Sequence, residues 1–408
     1  MNIYISGISG TGMGPLALMA KDAGFNVVGS DKQAGPIAKE LEAAGISFEI
    51  GAQDGTFLEK QGEIDWFVYT SALPKDHPEL KLAEEKGIKC TKRDEFIAFL
   101  VEKLNLKMVA VAGTHGKTTT TSMLIWAVKQ LKLPAAYLVG TTLGFAESGS
   151  YKPNDKFFIY EADEYDRNFL AFHPWLSLIT FVSYDHPDIY KTPEDYLAAF
   201  KQFESQSEKV IKGGETNPFL KLAGRARRED ATTAIKALHE MVNEANVLKT
   251  EEQMVNVLNK FPGVGRRFEK IADGVYSDYA HHPEEITATI EIANEQAKIL
   301  NKKGVVAIYE PHQNTRQHEV KSGYRSAFSG AEKVFWLPTY LTRENPELKI
   351  LTPEDFIKDL DEPGLAEAVE MDDDLARRLK NLANKGYLIL LMTAGPADEW
   401  LRKIFAKN

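Results

Sequence analysis

Seven residues, Gly113-Thr114-His115-Gly116-Lys117-Thr118-Thr119, concentrate more chemistry than any other stretch of the chain. They stand between an apolar run at 108–112 and a helix-period segment at 117–131, so a strand feeds a glycine-containing turn that opens a helix. That is how a phosphate-binding loop is built. Backbone N–H groups and the helix N-terminus surround phosphate oxygens while a lysine neutralises them. Lys117 is placed to meet the β- and γ-phosphates of ATP, and Thr118 to offer its hydroxyl to Mg2+. Gly113, Thr114, His115, Gly116 and Thr119 complete the cradle. Val111 occupies a position where the usual pattern has a further glycine, so the loop is a shortened variant.

Two later strand ends could serve the metal. The run Phe158-Ile159-Tyr160 leads into Glu161-Ala162-Asp163-Glu164, and 179–182 leads toward Tyr184-Asp185-His186. Open α/β sheets bind ligands at such carboxyl edges. Glu161 and His186 are therefore expected to join Thr118 around Mg2+ near the γ-phosphate. A second glycine loop, Gly7-Ile8-Ser9-Gly10-Thr11-Gly12-Met13-Gly14, also follows a strand and opens a helix. Its spacing is G-x-x-G-x-G, not the G-x-G-x-x-G of NAD-binding folds. Asp31 ends the next strand, where such folds place a ribose-binding acid. A nucleotide carrying a diphosphate, but not NAD, is expected there. Toward the C-terminus, Asp278-Tyr279-Ala280-His281-His282-Pro283, Glu310-Pro311-His312-Gln313-Asn314-Thr315-Arg316 and Thr393-Ala394-Gly395-Pro396-Ala397-Asp398 put His, Arg and Asp at further strand ends, a second ligand rim.

The elements that must position these groups recur as short apolar runs, glycine turns and helix-period segments. This is the signature of α/β units with parallel sheets. Three blocks are expected, at 1–107, 108–263 and 264–408: an N-terminal Rossmann-like domain, a central phosphate-loop α/β domain and a C-terminal Rossmann-like domain. Strands are read at 2–6, 26–29, 64–70, 87–91, 108–112, 157–160, 176–182, 305–309, 334–337 and 388–392. The 408 residues are 43% hydrophobic and 26% charged, a globular composition. A net charge of −10 disfavours nucleic-acid binding. The single cysteine, Cys90, excludes an intramolecular disulfide and a cysteine-based zinc site. With no secretory leader pattern and no run of about 18 apolar residues, a cytoplasmic enzyme or scaffold with no membrane partner is expected.

Taken in order, these motifs resemble the Mur ligase family, and within it the members that join L-alanine to UDP-N-acetylmuramate. The resemblance runs through the loop at 7–14, Gly29-Ser30-Asp31, Ser71-Ala72-Leu73-Pro74, the loop at 113–119, Glu161-Ala162-Asp163-Glu164, Asp185-His186, Arg266-Arg267-Phe268-Glu269, the 278–283 cluster and 311–316. It implies that the first domain holds the UDP sugar, through Gly10, Thr11, Gly12, Met13, Asp31 and Ser71. It implies that the central domain binds ATP and that the third brings the amino acid, with hinge closure between them. The sugar's lactyl carboxylate would attack the γ-phosphate of MgATP, and the amine would then displace phosphate from the acyl phosphate. Tyr279, His281 and His312 would lie near the amino acid, with His281 or His282 taking a proton. Arg316 would clamp a carboxylate, and Arg267 and Asp278 would lie on the nucleotide side. Three departures stand out. Arg227 and Asp230 replace two asparagines that usually contact the nucleotide. The stretch between Phe203 and Leu222 is short, so the central domain should lack peripheral strands. Gln313 stands where alanine-adding members carry arginine. Glu310 and Asn314 lean toward members that add a whole peptide, whereas Pro311-His312 and the Gly395 context favour the alanine-adding ones. The altered 225–230 segment also fits a descendant that binds the UDP sugar without turnover.

Overall fold

The computed structural model describes residues 1–406 apart from 71–72, 187–188 and 343. Ser71, expected to touch the UDP sugar, lies outside the described residues. Each sequence block contains its own sheet. The first is five-stranded and wholly parallel, in the order β3-β2-β1-β4-β5. Its strands are β1 (Asn2–Ser6), β2 (Asn26–Asp31), β3 (Ser47–Ile50), β4 (Trp66–Tyr69) and β5 (Lys89–Lys92). They alternate with helices α1 (Gly14–Asp22), α2 (Ala38–Ala43), α3 (Thr56–Lys60), α4 (Pro78–Glu85) and α5 (Arg93–Lys103).

The second sheet has the order β11-β10-β6-β9-β7-β8. It contains β6 (Lys107–Ala112), β7 (Ala135–Leu138), β8 (Gly149–Ser150), β9 (Phe157–Glu161), β10 (Leu176–Ile179) and β11 (Lys209–Lys212). Helices α6 (Lys117–Leu131), α7 (Pro193–Ser205), α8 (Arg225–Ala245) and α9 (Glu251–Leu258) belong to this block. The third sheet runs β12-β13-β17-β14-β15-β16. Its strands are β12 (Glu269–Ala272), β13 (Val275–Asp278), β14 (Val305–Glu310), β15 (Lys333–Trp336), β16 (Ala366–Ala368) and β17 (Leu388–Thr393), with helices α10 (Pro283–Ile299), α11 (Asn314–Val320), α12 (Pro353–Ile357), α13 (Asp373–Asn384) and α14 (Ala397–Phe405). The central strands β14 and β17 are buried along their whole length, which explains their unbroken apolar sequences.

The chain forms two compact units: Met1–Leu220 with Glu229–Pro262, and Lys221–Arg228 with Gly263–Asn408. The first two blocks share one unit because β8 lies on α1. Ser148 donates from its N and Oγ to Glu40 (2.8 and 2.9 Å), and a Cβ on Gly149 would come 2.1 Å from the carbonyl of Pro15. The unit boundary falls inside α8. Its first turn belongs with α10, where Glu295 accepts from Gly224 N (2.8 Å) and from both terminal nitrogens of Arg228 (2.7 and 3.2 Å).

One strand ends early. The sequence suggests extension over 176–182, but β10 stops at Ile179. Thr180 turns to hold the carbonyl of His115 (2.5 Å), and Phe181 bridges His115, so the chain leaves the sheet to buttress the phosphate loop.

Candidate active site

The phosphate loop leaves β6 and enters α6 through Gly116, whose φ of +86° lies in the left-handed region. A Cβ there would also come 2.5 Å from Asp230 Oδ1, so both the backbone and its neighbour demand glycine. Asp230, one of the departures noted above, thus lies against the phosphate loop itself. The segment after β10 braces the other side. Phe181 O accepts from Thr114 N (2.6 Å), Ser183 O accepts from Thr114 Oγ1 (2.7 Å), and the rings of His115 and Phe181 stack at 5.9 Å. Thr119 follows within the first turn of α6 and is half-buried.

Lys117 Nζ donates to the carbonyls of Gly113 (2.5 Å) and Thr114 (3.2 Å) and pairs with both oxygens of Glu164 (2.9 and 2.7 Å). The Glu164 side chain is 1% exposed and that of Lys117 15%. Burial opposes both charges, yet their mutual attraction prevails: Lys117 is held above the usual lysine range and Glu164 below the usual carboxylate range. Tyr196 OH (3.4 Å) and His186 Nε2 (3.6 Å) also face Glu164. Thr118 Oγ1 donates to Glu161 Oε1 at 2.7 Å, so two members of the expected metal set meet at the start of α6. His186, the third, turns to Glu164 and Asp185 (3.7 Å). Burial would lower the pKa of its imidazole, but the hydrogen bond to Glu164 and the charge of Asp185 raise it overall.

Glu164 is the residue that sequence reasoning passed over. It stands three places after Glu161 in the same acidic run, and nothing in the run says which carboxylate turns toward the lysine. A second such residue is Glu79 on α4, which is 0% exposed. It accepts from Tyr4 OH (2.6 Å), Ser6 Oγ (2.8 Å) and Ser30 Oγ (2.6 and 2.8 Å), tying together the ends of β1 and β2. Its sequence setting, His77-Pro78-Glu79, reads only as an ordinary helix start.

Between those strand ends lies the N-terminal glycine loop. Asp31 Oδ2 accepts from Ser9 N (2.9 Å) and Ser9 Oγ (2.7 Å), while Gly7 N and Ile8 N donate to Ser30 O (2.8 and 3.0 Å). Gly10 N turns back to Gly7 O (3.2 Å). Thr11 is exposed and Gly12 half-buried, but Met13 packs into the core and has only its main chain to offer a ligand.

The second unit gathers Tyr279, His281, His312 and Arg316. The His281 ring is 5.5 Å from that of Tyr279 and 6.0 Å from that of His312, and Arg316 Nη1 lies 3.5 Å from His312 Nδ1. The guanidinium groups of Arg266 and Arg267 stand 4.7 and 5.2 Å from the Tyr279 ring centre. Burial is the largest influence on both imidazoles, and the charge of Arg316 adds to it. His281 is lowered from the usual range and His312 is pushed down to about 4. His282 occupies a different place, the N-cap of α10, where Glu285 accepts from the amides of His281 (3.0 Å) and His282 (3.3 Å). Asp278 faces inward and accepts from Phe268 N (2.6 Å) and Ala280 N (2.8 Å), so its carboxylate holds this turn together.

The chain is also similar to known proteins along nearly its whole length. The sequence matches three family descriptions in succession: "Mur ligase family, catalytic domain" over residues 2–104, "Mur ligase middle domain" over 111–265 and "Mur ligase, glutamate ligase domain" over 266–395. It is 31% identical to the UDP-N-acetylmuramate–L-alanine ligase of Lactobacillus delbrueckii subsp. bulgaricus over 446 aligned positions, covering 98% of this chain and 96% of that protein. It is 32% identical to the enzyme of the same name from Lactiplantibacillus plantarum, covering 81% and 83%. Because 446 aligned positions exceed the 408 residues present, the alignment contains gaps in this chain. The fold resembles that of the UDP-N-acetylmuramate-alanine ligase of Thermotoga maritima, with a TM-score of 0.76 at 22% identity, covering 99% and 98% of the two chains. A murein peptide ligase from Psychrobacter arcticus superposes with a TM-score of 0.61 at 23% identity, covering 99% and 98%. Matched by all three family descriptions in order, the chain belongs to the Mur ligase family.

Proposed function

We propose that this protein is an ATP-dependent ligase that forms an amide between the lactyl carboxylate of UDP-N-acetylmuramate and L-alanine, a step in peptidoglycan precursor synthesis. The observation that carries the reading is the Lys117 cradle: an ammonium held at the mouth of a phosphate loop, beside the Thr118–Glu161 pair. The near full-length likeness to alanine ligases supports the choice of substrates.

In the first step a carboxylate oxygen attacks the γ-phosphorus, the bond to the bridging oxygen breaks and ADP leaves. Two anions must approach each other, so positive charge has to be in place beforehand. Lys117 supplies it when its partner changes from Glu164 to phosphate. The Thr118 hydroxyl and Glu161 carboxylate are hard oxygen donors that fit Mg2+, with His186 close by; a bound Mg2+ would neutralise further phosphate charge. In the second step the amine nitrogen attacks the acyl carbon, the carbon–oxygen bond to phosphate breaks and a proton leaves the nitrogen. His281 suits that proton: burial lowers its imidazole from the usual range, so it is neutral at pH 7 and can accept one. Arg316 offers a planar fork for the amino acid's carboxylate. His282, at the helix cap, orients the turn that carries His281.

The test is ADP release with MgATP and UDP-N-acetylmuramate, comparing L-alanine, other amino acids and a short peptide. Release that requires L-alanine is expected. Release with peptide alone would move the protein to the peptide-adding members, and ATP-independent sugar binding without release would identify a non-catalytic descendant. Lys117→Ala should lower kcat by at least about 100-fold while UDP-sugar binding persists. Normal turnover in that variant would remove the phosphate-loop assignment.

A further inference from the structure

The two glycine loops differ in their supply of charge. The loop at 113–119 carries its own lysine, whereas the loop at 7–14 contains no cationic residue. A helix N-terminus alone contributes roughly half a positive charge, too little to balance a diphosphate.

Its amides are nevertheless arranged for an anion. Those of Gly7, Ile8, Ser9, Gly10 and Gly14 are committed to Ser30 O, Ser30 O, Asp31 Oδ2, Gly7 O and Gly10 O respectively. The amides of Thr11, Gly12 and Met13 have no hydrogen-bond partner among the described residues, and they are consecutive at the entrance to α1. Such a run of open N–H groups forms an anion-binding concavity.

Arg93 reaches this place from another element. It is the first residue of α5, directly after β5, at the carboxyl edge of the same parallel sheet. Its side chain is 21% exposed. A Cβ on Gly12 would lie 2.8 Å from Arg93 Nη1, so the guanidinium occupies the space that a side chain at 12 would need. Nε donates to Asp94 Oδ1 (3.2 Å), while Nη1 and Nη2 have no hydrogen-bond partner among the described residues.

We infer that Arg93 is the cation that binds the diphosphate of the sugar nucleotide, together with the open amides of Thr11, Gly12 and Met13. The inference rests on the proposed function for the identity of the ligand. A planar fork is suited to two phosphate oxygens in a way that a lysine ammonium is not. Tyr160 acts most strongly on the guanidinium, and the carboxylates of Asp94 and Asp163 also act on it.

The test uses the full-length protein and titrates UDP and uridine by calorimetry against the unaltered chain, Arg93→Gln and Arg93→Lys. Arg93→Gln should weaken UDP binding on the order of 10- to 100-fold and leave uridine binding unchanged. Arg93→Lys should recover part of the loss. In turnover, KM for UDP-N-acetylmuramate should rise while KM for MgATP stays constant. Equal weakening of UDP and uridine would assign Arg93 to packing and overturn the inference, as would UDP binding that Arg93→Gln leaves intact. Failure to release ADP, with an Arg93-dependent preference for UDP over uridine, would refute the ligase reading and leave this one standing.

Discussion

Lys117 and Glu164 form a buried pair whose two halves should not be equally costly to remove. At 2.7 Å and an effective dielectric near 20, the attraction between two unit charges is about 6 kcal/mol. Much of that offsets desolvation, so removing one partner is expected to cost about 3–5 kcal/mol. Lys117→Met leaves a carboxylate that is 1% exposed, with Tyr196 and His186 its remaining neighbours at 3.4 and 3.6 Å. Glu164→Gln leaves an ammonium that still reaches the carbonyls of Gly113 and Thr114 and is 15% exposed. Lys117→Met should therefore be the more damaging change, near the top of that range, with Glu164→Gln at about 1–3 kcal/mol. At roughly 2–4 °C per kcal/mol for a unit of this size, the first should lower Tm by on the order of 10–20 °C. The double variant should lose less than the sum, since the second removal finds no partner left to strand. The pH dependence follows from the direction of the shifts. Glu164 is held below its ordinary pKa, so its contribution is complete above the unfolded carboxylate range and is lost as pH falls through the folded value. In Lys117→Met the buried carboxylate loses that support, so the deficit should shrink as the pH is lowered toward 5. Thermal denaturation of the four proteins at pH 5 and 7.5 checks this. Strict additivity, or a larger loss in Glu164→Gln, would refute the argument.

Thr118→Val should leave Tm within about 1 kcal/mol equivalent but raise the Mg2+ concentration needed for half-maximal ADP release; an unchanged requirement would remove Thr118 from the metal set. His312 is depressed to about 4 by burial, with the neighbouring His281 ring and the charge of Arg316 adding to it, so between there and the ordinary histidine range the unfolded chain binds more protons. Stability should rise with pH across that window and then level, and His312→Gln should flatten the slope in urea denaturation. Asp230 lies at the positive end of α6, where a carboxylate is favourable until phosphates arrive. Asp230→Asn should cost about 0.5–1 kcal/mol of stability and tighten MgATP binding, whereas weaker ATP binding would show that the carboxylate itself contacts nucleotide.

The elements that bear the site were legible where burial on both sheet faces forces long apolar runs. Strands β1, β6, β14 and β17 were readable for that reason, as was α6 from its glycine start and 15-residue periodicity. The edge strands β3, β11 and β16 were not, because short, half-exposed strands carry lysines and glutamates and leave little alternation to detect. Loops were legible by composition, partners were not. Lys117 could be assigned from its glycines, but its partner comes from a turn 47 residues away. Glu79, 73 residues from Ser6, has no local signature at all. Asp278 has a structural role that its own run does not signal. The amide of Phe268, ten residues earlier, and that of Ala280 donate to its two oxygens and tie the turn together.

What distinguishes the charged groups of the two units, each taken by itself, is how each charge is maintained. Lys117 keeps its proton because a buried carboxylate faces it, and in the proposed reaction phosphate would replace one anion by another at little cost to the ammonium. His281 and His312 lose theirs because burial and Arg316 disfavour a second cation, which preserves one imidazole able to accept a proton from an amine. Arg93 cannot titrate at all, so the sugar nucleotide's loop has a permanent cation where the ATP loop has an exchangeable one. On the proposed reading the sugar nucleotide would meet a fixed charge, whereas the ATP-derived nucleotide would meet a charge that Glu164 can reclaim when it leaves.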